Sequence, residues 1–194
     1  MGRDKALVEL GGRTLAAHAV DLLRSAGLSA TIAGARSELA GVAPVIKDEA
    51  PDQGPLSGIC SALASTDAEL AVFIPVDLPL LPASLLEYLL RHAMTTGRAI
   101  TLVSVNGFAQ TFPAVVRRET LPALQAELEA GRGGCFAGFR VAAAQNRQAV
   151  SVVPVEMLAQ PGQVIDGRGL PPYRWFLNVN TPEDVERPGL KNEV

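Results

Sequence analysis

The sequence has few cysteines and few aromatic residues. Its 194 residues include 2 cysteines, and aromatic residues make up 5% of the chain. Cys60 and Cys135 lie far apart and show neither a Cys-x-x-Cys motif nor metal-ligand spacing, so we expect two small core residues rather than a disulfide or a metal site. His18 and His92 fall in predicted helices without an acidic or cysteine partner in a recognisable motif, and we assign neither a catalytic role.

The sequence also lacks an excess of positive charge and an uninterrupted apolar run. A net charge of -3 and a pI near 5.4 argue against a surface that coats nucleic acid, although they leave room for a local basic spot that binds a phosphorylated small molecule. The most apolar stretch, residues 70–90, contains Asp77, Glu87 and three prolines, which excludes a membrane span. The N-terminus lacks the apolar core of a signal peptide, and Ala6 stands where a myristoylation pattern requires Ser or Thr. We therefore expect a cytoplasmic protein that contacts neither membrane nor nucleic acid.

Short apolar runs alternate with helical periods along the chain, and 48% of the residues are hydrophobic. This pattern predicts a three-layer α/β fold, with a mostly parallel sheet and helices on both faces. We expect one domain over residues 1–187, followed by a C-terminal tail at 188–194. The predicted strands are 28–33, 42–46, 70–75, 99–105, 112–116, 150–155 and 174–179. The predicted helices are 15–26, capped by Thr14, then 55–65, 82–96 and 119–130, with a short one after residue 181.

Ligands of such sheets bind beyond the carboxyl ends of the strands, so the residues that follow strands are candidates for function. Asp77 follows the buried run at 70–75 and is the strongest of them. A carboxylate at this position needs a positive partner, and a divalent cation bound to nucleotide phosphates would provide one. A capping role in the following turn is an equally good interpretation of Asp77 alone.

Three other loops carry weaker signals. The segment Gly54-Pro-Leu-Ser-Gly58 would let backbone N–H groups approach a nucleotide, or it only forms a tight corner before a helix. Asp48 could accept hydrogen bonds from a base or ribose, or it is a solvated charge. Asn178 and Asn180 alternate, which places both on one side of a strand end, where they could ligate a metal or only tie the strand to its neighbour.

Four motifs together resemble the molybdenum cofactor guanylyltransferases. The first residues, Met-Gly-Arg-Asp-Lys-Ala-Leu, are similar to the end of the opening signature of that family. Residues 54–58 match its G-P-L-x-G motif, residues 75–79 resemble its P-x-D-x-P motif, and residues 178–184 match N-x-N-T-P-E-D. The motifs stand in the family's order and span nearly the whole chain.

The resemblance implies transfer of GMP from GTP to molybdopterin cofactor, with formation of the guanine dinucleotide cofactor and pyrophosphate. It implies Mg²⁺ as cofactor, held by Asp77, and catalytic roles for Lys5 and Asp77. No protein nucleophile is needed, because positioning and charge neutralisation supply the catalysis. Transient contact with other cofactor-handling proteins is also implied. The implied nucleotide-binding residues are Lys5, Asp48, Gly54, Gly58, Asp77, Asn178 and Asn180.

The family's opening signature begins with a strand and a phosphate loop that would precede Met1. If they are absent, the neighbouring strands should keep unpaired N–H and C=O groups around an open apolar slot. We expect either a start codon assigned too late or a degenerate gene, and the intact downstream motifs favour the first. The alternative functions are a cytidylyltransferase or another small nucleotidyltransferase of the same fold, and a catalytically inactive nucleotide-binding relative.

Overall fold

The computed structural model describes residues 5–34, 37–47, 54–179 and 184. The strands are β1 (Glu9–Leu10), β2 (Arg13–Thr14), β3 (Ile32–Ala33), β4 (Val45–Ile46), β5 (Leu70–Phe73), β6 (Ile100–Val105), β7 (Phe108–Arg117) and β8 (Ser151–Pro154). The α-helices are α1 (Leu15–Ser25), α2 (Pro55–Ala64), α3 (Ala83–Thr96), α4 (Leu121–Glu129), α5 (Cys135–Gln145) and α6 (Val155–Ala159). Short 3-10 helices cover Lys5–Leu7, Ser37–Leu39, Arg118–Thr120 and Pro172–Phe176.

The largest sheet contains four strands in the order β5-β7-β6-β8. β7 is antiparallel to both β5 and β6, whereas β6 and β8 are parallel. β5, β6 and β8 therefore run in one direction, and only β7 runs against them. The carboxyl ends of these three strands lie at one edge of the sheet, where the predicted ligand site should be.

Period-two alternation sends the side chains of this sheet into two separate cores. Ala71 and Phe73 of β5 contribute to a cluster with α2, α4 and α5 on one face. Leu70 and Val72 contribute to a second cluster with α3, α6 and Trp175 on the opposite face. Helices thus cover both faces, and the predicted three-layer α/β architecture is confirmed.

A second, two-stranded sheet pairs β3 with β4 in parallel. Within the described residues β3 pairs only with β4, and β5 only with β7, so each keeps one unpaired edge. All four residues of β5 are half-buried although they are apolar.

Two hairpins were not predicted. Asn106 and Gly107, with φ of 51° and 80°, form the two-residue turn between β6 and β7. Gly11 and Gly12 form a similar turn between β1 and β2. Asn-Gly between two apolar runs is a strong hairpin signal, and it would have indicated that β7 runs antiparallel to β6.

The predictions were also wrong in the C-terminal third. Helix α5 was not predicted, because its sequence begins after Gly133-Gly134 and contains Gly138 in its middle. Residues 174–179 were predicted as a strand, but a 3-10 helix occupies Pro172–Phe176. Pro171 and Pro172 fix φ near the values that start a helical turn, and the Trp175 indole N–H donates to the Leu170 carbonyl at 2.9 Å. The predicted domain boundary at residue 187 lies outside the described residues and stays a prediction.

The two cysteines are buried in the core, and each histidine ring lies within hydrogen-bond distance of a neighbouring residue. Cys60 and Cys135 are both buried, as predicted, and burial, with a smaller contribution from Cys60, raises the pKa of Cys135 to about 11. His18 Nε2 lies 2.8 Å from the Leu10 carbonyl oxygen, and His92 Nε2 lies 3.1 Å from Ser151 Oγ. Among the helices that the structure describes, none is long and apolar enough to cross a membrane.

The N-terminus of α1 has the side-chain cap that the sequence predicts. Thr14 Oγ1 accepts a hydrogen bond from the Ala17 N–H at 3.2 Å, which satisfies one of the unpaired donors of the first turn. We expect Thr14→Ala to lower the free energy of unfolding by about 0.5–2 kcal/mol. Urea unfolding should detect this loss, and Thr14→Ser, which keeps the hydroxyl, should retain most of the stability. Equal losses in the two variants would contradict a capping role.

Candidate functional site

Lys5 and Asp77, 72 positions apart in sequence, form an ion pair. Lys5 Nζ lies 3.1 Å from Asp77 Oδ2, and the two side chains are 49% and 19% exposed. Asp77 follows the carboxyl end of β5, so the pair lies at the edge of the sheet where ligands bind in α/β proteins. The structure therefore brings together the two residues to which the resemblance assigns catalytic roles.

The third segment at this edge carries Asn178. The Val179 N–H donates to the Asp77 carbonyl oxygen at 2.9 Å, which places residues 177–179 beside Asp77. Val179 is fully buried and Leu177 is half-buried, whereas Asn178 between them is exposed. Exposure of the side chains alternates over residues 177–179, although the segment is not a regular strand. Its partner in the motif, Asn180, lies outside the described residues.

One apolar cluster lies beneath these segments. Val8, Leu80 and Val179 are buried members of it, and Val76 and Leu177 pack against it. Val8 comes from the segment that begins with Lys5, Val76 and Leu80 flank Asp77, and Leu177 and Val179 flank Asn178. Burial of these apolar neighbours leaves the polar side chains at the rim of the cluster.

Gly54 and Gly58 belong to a second group, at the start of α2. Gly54 has φ 77° and ψ −174°, a conformation almost restricted to glycine, and precedes Pro55 at the first helical position. A Cβ on Gly58 would lie 3.4 Å from the Ala33 Cβ, so α2 packs closely on β3. Asp48, which was predicted to contact the base or ribose, lies outside the described residues.

The loop between α4 and α5, which was not predicted to be part of the site, lies next to Gly54. A Cβ on Gly54 would lie 3.6 Å from the Gly133 carbonyl oxygen. Arg132 anchors this loop to α4 through two hydrogen bonds to Glu127, at 2.8 and 2.7 Å. These bonds, opposed by burial, hold the pKa of Glu127 below its usual value. The sequence Gly131-Arg-Gly-Gly134 was the available signal for a close backbone approach.

The donor set near Asp77 suits a cation that brings most of its own ligands. Among the described residues no group of three or more His, Cys, Asp and Glu side chains is arranged to hold a metal ion. Zinc and calcium sites need several protein ligands, whereas Mg²⁺ is commonly bound by one or two carboxylates together with substrate phosphates. One carboxylate beside one ammonium therefore fits Mg²⁺ bound to a polyphosphate.

The fold and this charged edge define a class, the α/β nucleotidyltransferases. Molybdopterin-guanine dinucleotide biosynthesis protein A from Archaeoglobus fulgidus has a similar solved structure, with a TM-score of 0.74 over 96% of this chain and 89% of that chain. The two sequences are 20% identical, so this likeness shows the fold alone.

The family follows from the sequence. Residues 1–150 match the family model described as the MobA-like NTP transferase domain, and the chain belongs to that family. A molybdenum cofactor guanylyltransferase from Xanthomonas euvesicatoria pv. vesicatoria is 47% identical over 92 residues, which are 46% of this chain and 47% of that protein. A probable molybdenum cofactor guanylyltransferase from Carboxydothermus hydrogenoformans is 28% identical over 188 residues, 96% of this chain and 87% of that protein.

Because of its backbone conformation, Gly54 should tolerate substitution by alanine less well than Gly58. We expect Gly54→Ala to lower the free energy of unfolding by about 1–3 kcal/mol, because its backbone conformation is strained for any residue with a Cβ. Gly58→Ala should change it little, since the gain in helix propensity is offset by crowding against Ala33. Urea unfolding of both variants checks this, and an equal effect would show that the conformation of Gly54 is not a constraint.

Proposed function

We propose that the protein is an Mg²⁺-dependent guanylyltransferase that transfers GMP from GTP to molybdopterin cofactor and releases pyrophosphate. The observation that carries the proposal is the Lys5–Asp77 pair at the ligand-binding edge of a MobA-like fold. The names of the relatives from Xanthomonas and Carboxydothermus support the same reaction. The cytoplasmic location and the contacts with other cofactor-handling proteins stay predictions.

In this reaction the phosphate oxygen of the pterin attacks the α-phosphorus of GTP. A new P–O bond forms, the bond between the α-phosphorus and the bridging oxygen breaks, and pyrophosphate leaves with the bonding electrons. Two polyanionic substrates must approach each other, so the main task of the protein is positioning and charge compensation. A Mg²⁺ ion held by Asp77 would neutralise charge on the phosphate oxygens when bound.

The chain's own residues divide this task. Asp77 is mostly buried and fixed through its backbone carbonyl, so its carboxylate presents a defined position for a cation. Lys5 is half-exposed and donates to one oxygen of that carboxylate. It can give up this contact and turn its ammonium group to a phosphate without breaking any apolar contact of its backbone segment. Asn178, exposed beside them, is in position to donate to a phosphate oxygen or to its bound water.

Replacement of Asp77 tests the catalytic assignment. We expect Asp77→Ala to decrease pyrophosphate release from GTP and molybdopterin cofactor by about 10²-fold or more, because charge stabilisation in the transition state is lost. The fold should survive, since Asp77 is not part of an apolar core. Asp67→Ala is the matched control: Asp67 is fully exposed and pairs only weakly with Arg118, so its turnover should equal that of the wild type.

Two outcomes would contradict this assignment. Unchanged turnover in Asp77→Ala would remove Asp77 from the metal role. Nucleotide binding without turnover, insensitive both to Mg²⁺ and to Asp77→Ala, would instead identify an inactive nucleotide-binding relative.

The choice of base requires a separate measurement. We expect isothermal titration calorimetry with Mg²⁺ to show that GTP binds at least about tenfold more tightly than CTP. A tenfold ratio of Kd corresponds to about 1.4 kcal/mol of binding free energy. Both nucleotides carry the same triphosphate, so the difference reports contacts to the base alone. Tighter binding of CTP would favour the cytidylyltransferase alternative.

A further inference from the structure

The turn that carries Asp77 has little regular hydrogen bonding of its own. Regular strand β5 ends at Phe73 and α3 begins at Ala83, and we define the residues between them, 74–82, as the Asp77 turn. Three of its nine residues are proline and lack an N–H donor. Within the turn, the Leu81 N–H donates to the Leu78 carbonyl oxygen at a long 3.4 Å. The position of the turn must therefore depend on contacts from other segments.

Arg168 supplies one of these contacts from a distant part of the chain. Its Nη2 donates to the Leu80 carbonyl oxygen at 2.6 Å, across 88 positions of sequence. The same guanidinium donates to both carboxylate oxygens of Asp166, through Nε and Nη2, each at 2.9 Å. The Arg168 backbone N–H also donates to Asp166 Oδ1, at 2.8 Å. The guanidinium is thus held in one orientation by its neighbour.

The Asp166 carboxylate is deeply buried. Its side chain is 2% exposed, compared with 31% for Arg168. A buried carboxylate is strongly destabilising without a partner, so Asp166 and Arg168 depend on each other. A bidentate pair of this kind has a defined geometry, which a lysine could not reproduce.

A second contact ties the same loop to the end of the turn. Ser84 Oγ donates to the Ile165 carbonyl oxygen at 2.7 Å and accepts from the Ile165 N–H at 3.2 Å. Ser84 lies in the first turn of α3, directly after the Asp77 turn. The loop 165–168 therefore binds both the turn and the start of the following helix.

We propose that Arg168, oriented by Asp166, is a positioning residue that fixes the Asp77 turn through the Leu80 carbonyl. The side chain of Leu80 lies in the cluster with Val8 and Val179, so this residue is held at both its side chain and its carbonyl. The inference rests on the proposed function, because it assigns to Arg168 the placement of the carboxylate that binds the cation. Arg168 itself acts through the turn and not on the reacting atoms.

The chain offers a matched control at the other end of α3. Arg117 Nη2 donates to the Ala93 carbonyl oxygen at 3.2 Å, and its Nε donates to the Arg98 carbonyl oxygen at 3.3 Å. Arg117 pairs with Leu70 in the sheet, so it lies at the opposite end of β5 from Asp77. Arg117→Met removes an arginine that binds backbone carbonyls near α3 without touching the Asp77 turn.

The test measures Mn²⁺ affinity by electron paramagnetic resonance in the presence of GTP, with thermal unfolding of each variant. We expect Arg168→Met to weaken Mn²⁺ binding by about 10–100-fold, the range typical of residues that orient a metal ligand. Arg117→Met should lower the melting temperature but leave Mn²⁺ affinity as in the wild type. In turnover assays Arg168→Met should decrease kcat more than it changes KM for molybdopterin cofactor, and Arg168→Lys should recover part of the Mn²⁺ affinity.

The outcomes distinguish the inference from the proposed function. If Asp77→Ala leaves Mn²⁺ affinity unchanged, the cation site of the proposed function is wrong and the inference fails with it. If Asp77→Ala abolishes Mn²⁺ binding but Arg168→Met and Arg117→Met have the same Mn²⁺ affinity, the inference alone is overturned. Should Arg168→Met not fold, Arg168→Lys and Asp166→Asn are compared with Arg117→Met in the same way, and equal Mn²⁺ affinities would again overturn the inference.

Discussion

The candidate site depends on an apolar contact between three segments that are far apart in the sequence. Val8, Leu80 and Val179 meet in one buried cluster, and each lies within three residues of a candidate polar residue, Lys5 or Asp77 or Asn178. Burial of each aliphatic side chain contributes about 1.5–3 kcal/mol. The Val179 N–H bond to the Asp77 carbonyl adds a directional constraint to two of the segments. The polar groups converge because their apolar neighbours are buried together.

The Lys5–Asp77 ion pair, in contrast to the apolar cluster, contributes little to the stability of the fold. Lys5 is half-exposed, and an exposed pair contributes about 0.2–1 kcal/mol, less than the burial of any one of the three aliphatic side chains beneath it. The fold therefore does not require the charges of Lys5 and Asp77. They can exchange partners during a reaction at small cost to stability. A site that compensates phosphate charge needs this arrangement. The fold must position the charged groups, but its stability must not depend on their pairing with each other.

The sequence predicted the parts of this site that have local causes. Asp77 was singled out because it follows a continuous apolar run, and Asn178 because it alternates with Asn180. The Asn106-Gly107 turn also has a local signal, which would have given the direction of β7. The pairing of Arg168 with the Leu80 carbonyl has none, because it joins positions 88 apart through a backbone atom that every residue possesses. Long-range contacts to backbone carbonyls leave no pattern in a single sequence.

The two groups of candidate residues are joined by side-chain packing and not by a continuous sheet. Within the described residues β3 and β5 share no hydrogen bonds, and α2 bridges them: Gly58 lies against Ala33 of β3, while Ile59 shares a cluster with Phe73 of β5. Apolar packing is less directional than strand pairing. The distance from the start of α2 to Asp77 therefore depends on how α2 packs against β3 and β5.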